Sequence, residues 1–363
     1  MGPPLDRIIC GIFIISLKQD TVISLAPLLM LWKYAIMGIM SDKKEKIYII
    51  DLVKAAACLM IFCYHCNSLL PGEWKWMTIF GDDMGNNLFF MVSGFALYPS
   101  VIHPEGSFPS WYFKRLKRIL PMLVLFYILS FISGFYTINS PAQFITVFIY
   151  PSLYWFVTGI LIFYVILYFT GKYLPLPIWL ITAFALFILW FIRGGSMEAY
   201  YFLGFASMLS GFSLRDILEK AAINSRFFLP STAALIFCIP VFIYIKLKIP
   251  DTAVSGMARF ILGACVIITG VSTLISGYTK NESLSAFFNA KPRLHRFLYR
   301  VGNLALPLYL VQCFNAGMPG YLIGQKIAFP LSFAVNFAVS WGAALILDTV
   351  FKAAASPSQA RTS

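Results

Sequence analysis

The sequence predicts an all-α fold, a polytopic transmembrane helical bundle of about ten spans, and three observations predict it. Of the 363 residues, 60% are hydrophobic and only 12% are charged, where a soluble chain carries roughly twice that charge. Apolar stretches then follow one another at about the 17–25 residues a helix needs to cross a bilayer. Lys and Arg, finally, are distributed unevenly among the loops between those stretches. Backbone N–H and C=O groups have no water to pair with in hydrocarbon, so repeated stretches of this kind mean helices.

In chain order the expected spans lie near 47–70, 84–100, 119–136, 153–171, 175–193, 199–214, 227–246, 258–278, 301–323 and 329–351. Cytoplasmic loops collect Lys and Arg. With residue 41 inside, the inside set is Lys43, Lys44, Lys46, Lys114, Arg115, Lys117, Arg118, Lys172, Arg215, Lys220, Arg226, Lys280, Lys291, Arg293, Arg296, Arg300, Lys352 and Arg361. The outside set is only Lys75, Arg193, Lys246, Lys248 and Lys326. The net charge of +13 is therefore accounted for by topology and by attraction to anionic head groups of the lipid bilayer, and it calls for no nucleic-acid partner. An even number of spans puts both ends of the core in the cytoplasm.

Three segments result. Residues 1–40 hold two apolar patches too short to span, Ile8 to Leu17 and Thr21 to Trp32, broken by Lys18-Gln19-Asp20. A second start-like stretch, Met40-Ser41-Asp42-Lys43-Lys44, leads into the first span, so 1–40 is read as an upstream extension or a peripheral appendage. Residues 41–355 form the membrane-embedded domain and 356–363 a cytoplasmic tail.

The seven cysteines, Cys10, Cys58, Cys63, Cys66, Cys238, Cys265 and Cys313, lie almost entirely in apolar spans and read as small hydrophobes, not as a disulfide framework. Cys63-Tyr64-His65-Cys66 lacks a second cluster to complete a four-ligand shell, so no metal site is expected.

Ionisable residues inside spans are rare and line cavities when they occur. The first span carries Asp51, Lys54 and His65. Lys54 and His65 return to the same helix face within roughly 20° and lie about 16 Å apart along the axis, with Asp51 one turn below Lys54. One reading has Lys54 snorkelling to the cytoplasmic interface and His65 near the far head groups. The other has a polar stripe through the bundle, with a cation near the cytoplasm and His65 moving a proton at its far end. At the entrance to the third span, Arg115 and Arg118 in Phe113-Lys114-Arg115-Leu116-Lys117-Arg118-Ile119-Leu120-Pro121 share a face. They can grip phosphate oxygens together or serve as a positive-inside anchor. Arg259 opens the eighth span as an anchor or a cavity-facing group, and His103 and His295 read as solvated loop residues.

Asp51-Leu52-Val53-Lys54 with His65, then Asn87-Leu88-Phe89-Phe90-Met91-Val92-Ser93-Gly94-Phe95, then the run from Phe113 to Pro121, resembles in order and spacing the acyltransferase 3 family of integral membrane O-acyltransferases. Tyr154-Trp155-Phe156 resembles the aromatic start of a middle span, and Gly302 through Tyr309-Leu310-Val311-Gln312 the closing motif. The resemblance implies an enzyme that moves an acyl group, often acetyl, from cytoplasmic acyl-CoA to a hydroxyl of a cell-envelope glycan or lipid-linked sugar at the cytoplasmic (inner) membrane, with no permanently bound cofactor. His65 falls on the family's catalytic histidine and Arg115 and Arg118 on its paired arginines, so the resemblance implies acyl-CoA binding by Lys54, Arg115 and Arg118. Asn86, Asn87 and Ser93 are candidates for oxyanion support. The family usually has Arg where Lys54 stands, often a carboxylate where Asn87 stands, and commonly His where Gln312 stands.

A transporter or exporter of envelope precursors competes with this reading, since interrupted spans with intramembrane polar groups also describe carriers. The sequence holds no convincing internal repeat, and its polar residues gather in one early span. A non-catalytic envelope scaffold is the third class.

Overall fold

The computed structural model describes residues 48–134, 137–145, 147, 154–171, 196–220, 228–249, 253–280, 286, 292–317 and 328–355. The extension 1–40, the expected span 175–193 and the tail 356–363 lie outside these residues. Regular structure among the described residues is helical. We number the principal helices α1 (Tyr48–His65), α2 (Asn86–Ile102), α3 (Phe108–Ile132), α4 (Trp155–Thr170), α5 (Ser196–Lys220), α6 (Phe228–Lys248), α7 (Ala253–Lys280), α8 (Pro292–Asn303), α9 (Ala305–Gly317) and α10 (Leu331–Ala355). Each expected span within the described residues overlaps one of them.

α2 and α5 make the closest crossing, and glycine is why they can. A methyl group added at Gly94 would overlap the Met208 carbonyl oxygen, and one at Gly211 would overlap the Met91 carbonyl oxygen. The two backbones therefore touch at reciprocal points, as small residues permit between helices in lipid. Gly204 lies against the ring of Phe90, which is fully buried and packs on Phe156 at 4.6 Å and Phe163 at 5.4 Å between centroids. The motif around Phe90 and Gly94 is thus a packing device. Near its end the same crossing is pinned by the Tyr98 hydroxyl donating to the Asp216 carboxylate and by Arg215 over the Phe95 ring, 5.1 Å from its centroid.

α1 lies beside α8 and α9 and runs parallel to their chain direction. A Cβ at Gly302 would sit 3.0 Å from Cδ of Lys54, and Cys313 meets His65 at the other end. On another side of α1, the π-helical turn Gly81–Gly85 presses Gly81 onto Tyr64 and Gly85 onto Ile61, which delivers the chain into α2. α10 closes over the His65 end through edge contacts of Phe62 with Phe333 and Phe337, 5.1 and 5.2 Å between centroids.

α8 occupies a stretch expected as a basic loop. Leu294, Phe297, Leu298 and Val301 recur at the helical period, Leu298 and Val301 are buried, and Arg293, Arg296 and Arg300 are exposed. Such a basic amphipathic helix suits a membrane interface.

Among the described residues one helix segment, Leu331–Phe351, is by itself long and apolar enough to cross a membrane, and 86–102, 155–170 and 265–275 are shorter apolar helices. α2 is apolar but only 17 residues long, and α1 carries Asp51 and Lys54 among its 18 residues. The outward faces are nevertheless apolar: Leu229, Ile236, Phe237 and Ile346 are 75%, 67%, 69% and 66% exposed. A surface of this kind needs a non-aqueous neighbour.

Candidate active site

α1 is continuous from Lys54 to His65, so the spacing argument holds in the folded chain and both side chains occupy one face. Lys54 is paired with Asp51 at 3.7 Å. Asp51 is buried and Lys54 partly so, and Gly302 leaves the space they fill. A lysine folded back on a buried carboxylate one turn away is held at a fixed place.

His65 ends α1 and borders a small recess of about 10 Å³, the room of a single water-sized group, partly open to the surroundings. Phe62 and Cys66 line it from the α1 side, Gln312 and Asn315 from α9, and Asn336 and Ser340 from α10. The Cys313 sulfur lies 3.8 Å from His65 Nε2, within reach of a weak S–H···N interaction. The Asn315 amide donates to Ser340 Oγ at 3.3 Å, and Asn336 donates to the Ser332 carbonyl at 2.9 Å. A histidine beside hydroxyl and amide groups, and with no charged side chain among the described residues lining the recess, can take a proton from a neutral hydroxyl and return it.

The other expected residues lie elsewhere. Asn86 and Asn87 are buried at the start of α2 and Ser93 is half-buried on it; none of the three lines the recess. Arg115, on the first turns of α3, donates through one terminal nitrogen to the Trp111 carbonyl at 2.8 Å and through the other to Ser100 Oγ at 2.6 Å. Its guanidinium lies 3.6 Å above the Trp111 ring. Partial burial lowers its pKa from the ordinary value, and an arginine stays cationic under such a shift. Arg118 is exposed one turn on, near enough that its charge acts on Arg115. The two arginines therefore form one positive corner, in which Arg115 also ties α3 to the end of α2.

Arg259 donates to the Ile249 carbonyl at 3.2 Å, linking α7 to the end of α6, and His103 is exposed; the His295 side chain lies outside what is described. Asn315, Asn336, Ser340 and Cys313 were not singled out from the sequence as site residues. The signal available was spacing: Gln312 and Asn315, and likewise Asn336 and Ser340, are polar pairs one turn apart in otherwise apolar spans.

Among curated proteins and among solved structures, no match to the chain was found. The family model described as an acyltransferase domain matches residues 47–350, a region that holds Lys54, His65, the arginine corner and the helices around the recess. The chain belongs to the acyltransferase 3 family.

Proposed function

We propose that this protein is a multi-pass O-acyltransferase of the cytoplasmic (inner) membrane, moving an acyl group from cytoplasmic acyl-CoA, with acetyl as the expected donor, to a hydroxyl of a cell-envelope glycan or lipid-linked sugar. The observation that carries the reading is the placement of His65 at the end of α1, beside a small recess lined by uncharged side chains, in line with a cation one helix-length below. In this scheme CoA phosphates meet Arg118, Arg115 and Lys54 on the cytoplasmic side, and the thioester reaches along α1. His65 takes the acceptor hydroxyl proton, the oxygen attacks the thioester carbonyl, the C–S bond breaks, and the departing thiolate recovers a proton to leave as CoA–SH.

Two features support the expected topology of about ten spans with cytoplasmic ends. The basic residues of the core favour one side of the alternating loops. The parallel course of α1 and the 302–313 segment is the direction expected of the first and ninth spans, both running outward. Purified protein in proteoliposomes, supplied with labelled acetyl-CoA outside and envelope glycans inside, tests the reading. Labelled acyl ester on the glycan is expected; movement of glycan with no ester formed would replace the transferase by a carrier.

A further inference from the structure

We propose that Gln312 and Asn315 of α9 together with Asn336 and Ser340 of α10 form the seat of the acceptor's reacting hydroxyl, and that the part of the acceptor seated there is uncharged. The proposal rests on the acyltransferase reading and assigns the recess to one of its two substrates.

Burial is the first argument. Gln312, Asn336 and Ser340 are only 5%, 7% and 3% exposed, and polar groups placed so deep in an apolar bundle are costly unless they are matched. Two helices nonetheless bring polar pairs to the lining of one recess, and the histidine of a third helix borders the same space. Packing alone would be served by apolar side chains of similar size.

The second argument is chemical complementarity. The Asn336 amide nitrogen is engaged by the Ser332 carbonyl, and its carbonyl oxygen can only accept. Ser340 accepts from Asn315, which leaves the serine proton to donate onward. An alcohol both donates and accepts, and this set offers it both, with His65 Nε2 or Nδ1 to take the proton. A phosphate or carboxylate would find no counter-charge among the described side chains lining the recess. The cations of the proposed donor path lie on the other side of the fold, Lys54 being about 16 Å down the helix axis.

Position is the third. The His65 end is approached from the exposed indoles Trp74 and Trp76, 41% and 59% exposed. Trp74 packs on Phe329 at 5.4 Å between centroids, and Phe329 packs on Phe333, which meets Phe62 at the recess. Apolar faces leading to a recess the size of one hydroxyl fit a ring with hydrophobic faces and hydroxyl edges, of which a single hydroxyl enters.

The test uses the full chain in detergent, acetyl-CoA as donor, and methyl hexosides, methyl N-acetylhexosaminides and the matching methyl glucuronide as acceptor probes. Transfer to neutral glycosides is expected. Asn336→Ala and Ser340→Ala should each raise the acceptor KM roughly ten-fold, the effect of one lost hydrogen bond, while KM for acetyl-CoA stays as in the wild type; Ser340→Thr, which keeps the hydroxyl, should restore acceptor KM. If Asn336→Ala does not fold, the near-isosteric Gln312→Leu reads the same effect. The proposal is overturned by an unchanged acceptor KM in folded variants, by a raised acetyl-CoA KM instead, by preference for the glucuronide, or by acetyl-CoA turnover that acylates no glycoside. A wild-type chain that neither releases CoA nor acylates anything counts against the transferase reading beneath it.

Discussion

At the arginine corner the polar atoms are matched to one another. Arg115 donates to Trp111 and Ser100, the Trp111 indole donates to the Ser100 carbonyl at 2.9 Å, and Ser100 donates to the Leu97 carbonyl at 2.8 Å. At the His65 recess polar side chains of α9 and α10 border a small space beside the histidine. The first arrangement fixes α2 against α3 and leaves the exposed Arg118 as the cation best placed for a soluble anion. The second holds a geometry open. A closed network reports on stability and an open one on chemistry, so the two regions should respond differently to substitution.

The largest structural effect is expected at the glycine crossing that holds both regions in place. Gly211→Leu would drive a side chain into the Met91 carbonyl, and overpacking of this kind costs about 1–3 kcal/mol or more. The measurement is recovery of monodisperse protein after extraction in mild detergent, which should collapse for Gly211→Leu; recovery at the wild-type level would mean the helices can separate there freely.

Next come the arginines, which sharpen the comparison. Arg115→Ala should lower the thermal midpoint as well as weaken CoA binding, since charge-assisted hydrogen bonds contribute about 1.5–3 kcal/mol. Arg118→Ala should leave the midpoint in place and weaken CoA binding roughly ten-fold, the loss of one charge-assisted contact of about 1.4 kcal/mol. Thermal unfolding and titration with CoA separate the two; the reverse pattern would exchange their roles. The smallest effect is expected for Trp111→Phe, which keeps an aromatic ring under Arg115 but removes the bond to Ser100, about 1 kcal/mol. A small drop in midpoint with unaltered CoA affinity is the expected outcome.

The helical class and the place of most helices could be read from the chain because long apolar stretches pair their backbone groups internally as helices. α2, α4, α6 and α10 begin within two residues of the apolar stretches at 84, 153, 227 and 329. α8 escaped because its arginines made it read as a loop, although Leu294, Phe297, Leu298 and Val301 carry a helical period. His65 and Lys54 were found because one helix fixes their relation. The recess was not, because Asn315, Asn336 and Ser340 become neighbours of His65 only through helix packing, and a period says nothing about which partner a face meets. Arg115 shows the same limit: spacing paired it with Arg118, while the Ser100 that engages it lies at the end of α2 and Trp111 in the first turn of α3.

The central claim is that acyl transfer takes place at His65. Acyl transfer from labelled acetyl-CoA by His65→Ala, measured beside the wild type at equal CoA occupancy, tests it most directly. A fall of at least about a hundred-fold, the ordinary contribution of a general acid–base group, with CoA affinity and thermal midpoint retained, is the predicted result. An unchanged rate would contradict the account and move the chemistry elsewhere in the bundle.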